Sequence, residues 1–111
     1  MYGYMRAGKQ AVAMDIEFSN PDLQLLETDE SFNAGYSKAI VRAYRKIIRF
    51  IRSAVDERDF RSMRSLNFER LKGEKSHQHS LRLNIQWRLI IEIKISTPKN
   101  VIVVIGIEDY H

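Results

Sequence analysis

The chain contains no cysteine, two prolines, five glycines and one tryptophan in 111 residues. Without cysteine there are no disulfides and no cysteine-based zinc sites, which fits a reducing cytoplasm. No apolar run approaches the roughly 20 residues that span a bilayer, so a membrane helix is not expected. The opening "MYGYMRAGKQAVA" lacks the apolar stretch of a secretory signal and shows no periodicity. Residues 1–13 are therefore expected to be a disordered upstream extension or a cloning remnant, with one domain running from Met14 to His111. No repeats or low-complexity segments appear.

The residues present suit a packed globule, 44% hydrophobic and 29% charged. The net charge of +4 is unevenly spread. Asp15 to Glu30 holds six acids and no Lys or Arg, whereas Lys38 to Arg88 holds fourteen Lys or Arg against five acids. A basic middle of this kind suits a polyanion, nucleic acid first among them, or an acidic protein partner.

"DIEFS" alternates and predicts a short strand. Asn20, Pro21 and Asp22 are a helix start, predicting a helix over Pro21–Thr28. From Ser37 to Val55, the residues Ile40, Tyr44, Ile47, Ile48, Ile51 and Val55 recur at helical spacing as one buried stripe. Arg42, Arg45, Lys46, Arg49 and Arg52 lie off it, as a solvated face, a protein contact or an RNA contact. A polar, basic connection follows, with Phe60, Leu66, Phe68 and Leu71 as apolar anchors.

Three strands are expected to finish the chain. "HSLRL" sends Leu81 and Leu83 one way and Ser80 and Arg82 the other. "QWRLIIEIKI" sends Trp87, Leu89, Ile91, Ile93 and Ile95 inward, with Arg88, Ile90, Glu92 and Lys94 opposite. Between them "NIQ" makes a hairpin turn, wider than two residues because Ile85 would be strained at positive φ. "VIVVIGI" is apolar on both faces, as a central strand should be. The expected fold is α+β, in the order β-α-α-β-β-β, with two helices on one face of a largely antiparallel sheet.

The uncovered face then carries Arg82, Arg88 and Glu92. Lys72 leads into the meander, and Asp109, Tyr110 and His111 leave the last strand, so these groups are expected to converge at one rim. Such a set suits phosphodiester cleavage in RNA. Imidazole moves protons near neutral pH, Lys and Arg stabilise the phosphorane, and Tyr stacks or holds a phosphate oxygen. No metal or other cofactor is required. His77 and His79 form an H-x-H pair, but two ligands without a third do not make a metal site.

The segments "FERLKGEKSHQHSLRLNIQWRL" (Phe68 to Leu89) and "IEDYH" (Ile107 to His111) resemble the "LKG", "NxQWR" and terminal "DYH" pattern of the HigB branch of the RelE/ParE toxin superfamily. The resemblance spans roughly Met14 to His111. It implies a RelE-like fold and a bacterial toxin that cuts messenger RNA in the ribosomal A site. It also implies a HigA-like helix-turn-helix antitoxin, bound in a hetero-oligomer. By position, Lys72 and Arg88 would stabilise phosphate, Tyr110 would stack or position, His111 would transfer protons, and Asp109 would orient its neighbours. Arg70, Lys75, Arg82, Arg45 and Arg49 are the basic side chains expected to meet RNA or the ribosome. One departure stands out: Glu69 occupies the place where some family members carry a histidine. It is a candidate base, provided Lys72 or Arg70 offsets its charge beside a phosphate. Two alternatives remain at this stage. A ParE-like gyrase inhibitor would break DNA and leave messages intact, and an inactive relative would bind antitoxin or RNA without cutting.

Overall fold

The computed structural model describes residues 14–109. The first thirteen residues, and with them the expected extension, lie outside the described residues, as do Tyr110 and His111. Strand β1 (Asp15–Phe18) is followed by α1 (Pro21–Thr28), α2 (Lys38–Ser53) and the short α3 (Arg58–Ser62). Strands β2 (Glu69–Arg70), β3 (Gln78–Arg82), β4 (Trp87–Lys94) and β5 (Val101–Asp109) complete one sheet, ordered β1-β5-β4-β3-β2. Among the described residues only the β1–β5 pairing is parallel.

Helices α1 and α2 start where their caps dictate. The Asn20 side chain accepts from the Leu23 amide at 3.1 Å and Ser37 from the Ile40 amide at 3.2 Å. Helix α2 buries Ile40, Val41, Tyr44, Ile47, Ile48 and Ile51. They join Leu81, Leu89, Ile91, Ile102 and Val104 from the sheet in a single core. Each such side chain contributes roughly 1.5–3 kcal/mol before entropy is charged. The Tyr44 hydroxyl donates to the Leu23 carbonyl at 2.7 Å, which ties α2 to α1. Burial, with Glu27 nearby, pushes this phenol well above its ordinary pKa.

The apolar stripe ends earlier than the sequence suggests. Val55 is half exposed because α2 stops at Ser53, with the extended Ala54 as its cap. Ile95 is likewise 80% exposed, since β4 ends at Lys94. Helix α3 and the two-residue β2 are additional to the expected order and too short to show a period. The hairpin turn is wide, as expected. Asn84 accepts from the amides of Gln86 and Trp87 at 2.8 and 2.7 Å, and Ile85 does not adopt positive φ.

Strand β5 sits between β1 and β4, as its two-sided apolarity requires. It also bulges. Ile90 faces Gly106 while Ile91 faces Val104, so Ile105 is an extra residue. The Ile105 carbonyl accepts from the Ser19 hydroxyl at 2.9 Å. Because side chains alternate, one extra residue reverses the faces beyond it. Ile102 and Val104 meet the helices before the bulge, and Ile107 does so after it. Glu108 therefore shares the open face with Arg88, opposite which it stands in register.

Candidate functional site

The open face carries a cavity of about 190 Å³ lined by Glu69, Leu71, Ser80, Arg88, Ile90, Glu108 and Asp109. Cross-strand register assembles it. Glu69, Ser80, Ile90 and Gly106 form one row across four strands, and Arg82, Arg88 and Glu108 form the next. Ser80 and Arg88 are the two buried polar residues among those described, at 0% and 7% exposure. Arg88 Nη1 donates to Glu69 Oε1 at 3.1 Å and to Ser80 Oγ at 3.2 Å. A cation this deep is tolerable only when paired and hydrogen-bonded. Glu69 is therefore balanced by Arg88, not by Lys72 or Arg70.

The "LKG" segment wraps one wall. The Leu71 amide donates to the Gln78 carbonyl at 2.9 Å, and Arg70 Nε donates to the Ser76 carbonyl at 2.7 Å. Gly73 adopts φ of +69°, which favours glycine, so the chain turns sharply just after Lys72. Lys72 is exposed, next to the cavity-lining Leu71. The "NIQWR" segment holds the other end, where Gln86 Nε2 donates to Asp109 Oδ2 at 3.0 Å. Asp109 stands in register with Trp87. Tyr110 and His111 follow directly in sequence, outside the described residues.

The remaining basic candidates separate into distinct places. Arg82 is exposed and stands in register with Arg88, while Lys75 lies in an exposed 3₁₀ turn. Arg45 is a structural clamp. Its Nε donates to the Leu26 carbonyl at 2.8 Å, and its Nη2 to those of Asp29 and Phe32 at 2.9 and 3.3 Å. Those carbonyls end α1 and begin its exit loop, so Arg45 serves as a C-terminal cap. Arg49 is exposed and lines a separate cavity of about 410 Å³ with Lys38, Arg42, Arg45 and Phe32. By helical geometry, the six Lys and Arg residues of α2 fall within an arc of roughly 120°.

The two histidines diverge. His77 Nε2 lies 3.4 Å from Glu92. His79 stacks on Phe68 with ring centres 4.9 Å apart, and Arg61 covers the same Phe68 ring at 5.0 Å. Burial lowers the His79 pKa; Glu57 opposes this, and Arg61 and Arg70 add to it. Among the described residues no three His, Cys, Asp or Glu side chains group as metal ligands. No described helix is long and apolar enough to cross a membrane.

Ser80 was not among the residues expected to matter. Alternation places it on Arg88's face, but nothing in the sequence marks that position as buried. Arg45 carried no structural signal either, since its acceptors are backbone carbonyls.

A search of curated proteins returns no match. Among solved structures, a YoeB/ParE toxin from Agrobacterium tumefaciens is similar, with a TM-score of 0.54 and 14% identity. The similarity covers 88% of this chain and all of that one. At that identity the likeness shows a shared fold. The family model for the RelE-like toxin of type II toxin-antitoxin system HigB matches residues 16–111. That span takes in every strand and helix described above except the first residue of β1, Asp15, and the chain belongs to this family of HigB-like toxins.

Proposed function

We propose that this protein is an endoribonuclease that cuts messenger RNA on translating ribosomes and is neutralised by a HigA-like helix-turn-helix antitoxin. Membership in the toxin family supports the toxin role and implies an antitoxin. The observation that carries the chemistry is the Arg88 guanidinium, buried in the open-face cavity beside Glu69.

The proposed reaction is attack of the 2′-oxygen on the scissile phosphorus. A bond from phosphorus to the 2′-oxygen forms and the bond to the 5′-oxygen breaks. The products are a 2′,3′-cyclic phosphate and a 5′-hydroxyl. Glu69 takes the 2′-hydroxyl proton, and Arg88 and Lys72 stabilise the charge that builds on the phosphorane. His111 gives a proton to the leaving 5′-oxygen, Tyr110 stacks on a base, and Asp109 orients the terminal segment. Arg49, Arg70, Lys75 and Arg82 are exposed cations suited to RNA phosphates, and their contribution should weaken with salt. Arg45 contributes mainly by holding α1 and α2 together.

The test adds N-terminally tagged protein to ribosomes translating a defined message and maps cuts by primer extension. Naked RNA and a Tyr110→Ala/His111→Ala variant serve as controls. Cuts that need ribosomes and vanish in the variant are expected. Intact messages accompanied by gyrase-dependent DNA breaks would overturn the proposal in favour of gyrase poisoning.

A further inference from the structure

The two buried polar side chains among the described residues, Ser80 and Arg88, are bonded to each other. A serine on an uncovered sheet face is ordinarily wet. Burying its hydroxyl costs free energy that an apolar residue would not incur, unless the hydroxyl has a partner. Here it meets Arg88 Nη1, the same nitrogen that meets Glu69. That nitrogen carries two N–H groups, enough to serve Glu69 and Ser80 together.

The two acceptors differ in stiffness. The Glu69 side chain is 53% exposed and hangs on a two-residue edge strand, so its carboxylate can follow the guanidinium as it swings. The Ser80 oxygen is one torsion away from the backbone of β3, which pairs with β4 from Gln78↔Glu92 to Arg82↔Arg88. Glu69 thus supplies compensating charge, and Ser80 supplies direction. A guanidinium presents its donors in one plane, so fixing one nitrogen orients the whole fork.

We propose that Ser80 is a positioning residue for RNA cleavage: its buried hydroxyl locks the Arg88 guanidinium in the plane that receives the scissile phosphate. This rests on the proposed role of Arg88 at that phosphate. The effect belongs in the transition state, where the phosphorane's charge is largest. It should therefore appear in kcat and leave KM nearly unchanged.

Single-turnover cleavage on message-programmed ribosomes tests this with wild type, Ser80→Ala, Ser80→Cys and Ser80→Thr. With Ala, and with the weakly accepting Cys, kcat should fall about 10-fold, as expected for one hydrogen bond to a charged donor, while KM moves less than about twofold. Ser80→Thr keeps the oxygen and suits a strand, so it should restore most of kcat. Independently, nitrogen-15 NMR of the Arg88 side chain should resolve its two Nη groups in the wild type. In Ser80→Ala they should merge as the guanidinium rotates. Wild-type kcat in Ser80→Ala with unchanged Arg88 signals would overturn the proposal. So would a fall in kcat for Thr as deep as that for Ala, tracking lost thermal stability in both. If the wild type cuts nothing, the cleavage proposal fails, and the NMR comparison still decides whether Ser80 holds Arg88.

Discussion

The two faces of strands β3, β4 and β5 are made from alternate residues of the same segments, yet they are built on different principles. The helix-covered face is Leu81, Leu89, Ile91, Ile102 and Val104, all fully buried and apolar. The open face has Ser80, Ile90 and Arg88 buried beside exposed Glu69 and Glu108. One face gains stability from area removed from water. The other tolerates a buried cation because every step toward burial is matched by an acceptor. Fold and proposed chemistry thus share a backbone while depending on side chains that never meet.

The largest expected effect breaks the covered face. Ile91→Ala should destabilise the protein by about 4 kcal/mol, through lost transfer energy and the cavity left behind. Urea denaturation followed by circular dichroism would read it as a lower midpoint with an unchanged slope. A loss under about 1 kcal/mol would mean that this face is not the core it is taken to be. Arg88→Gln attacks the other face. It should lower ribosome-dependent cleavage about 10²–10³-fold, in line with removing one preorganised charge donor. Its urea midpoint should move less than that of Ile91→Ala. If instead the midpoint falls as far and cleavage persists, Arg88 is a structural residue and the division between faces is wrong.

That division was largely legible in the sequence. Period-two alternation assigns Leu89 and Ile91 to one side and Arg88 to the other, and the two-sided apolarity of "VIVVIGI" marks β5 as central. Helix α1 was readable to the residue because Asn20 and Pro21 fix its start. The less legible features are those that depend on distant partners. Residue Ile105 looks like any other in its run, but the bulge there puts Glu108 on Arg88's face. Edge strand β2 is two residues long and carries no period of its own. Glu69 was noticeable as an anion where the family pattern has histidine, yet its pairing with Arg88 emerges only once β2, β3 and β4 are aligned. The parallel β1–β5 contact joins segments more than eighty residues apart, beyond any local signal.

Helix α2 repeats the comparison on a smaller scale. One side buries six apolar residues, and the opposite arc is basic. Arg45 lies at the boundary, and its three carbonyl contacts predict a stability role distinct from that of its exposed neighbours. Arg45→Ala should cost about 2 kcal/mol, with part of the α1 exit loop losing protection in hydrogen exchange. Arg45→Lys should recover little, since an ammonium cannot span three acceptors as a planar fork does. Arg49→Ala, by contrast, should leave the urea midpoint within about 0.5 kcal/mol of wild type. Equal midpoints for the Arg45 and Arg49 variants would remove the distinction.

The smallest effect sharpens the contrast at the sheet edge, where His79 stacks on Phe68 on the covered side. Burial is the chief reason its pKa is lowered in the folded protein. In the unfolded chain His79 binds a proton at about the ordinary imidazole value, near 6.5. Between there and the lower folded value, the unfolded state holds more protons, so stability rises with pH. The contribution is complete above about pH 6.5 and is lost as pH falls through that window toward the folded value. His79→Phe keeps an aromatic plate on Phe68 and removes the titration. Urea midpoints measured from about pH 7.5 down to 5 should therefore fall more steeply for wild type than for His79→Phe. Parallel slopes would mean that the imidazole titrates alike in both states and that its burial beneath Phe68 costs its charged form nothing.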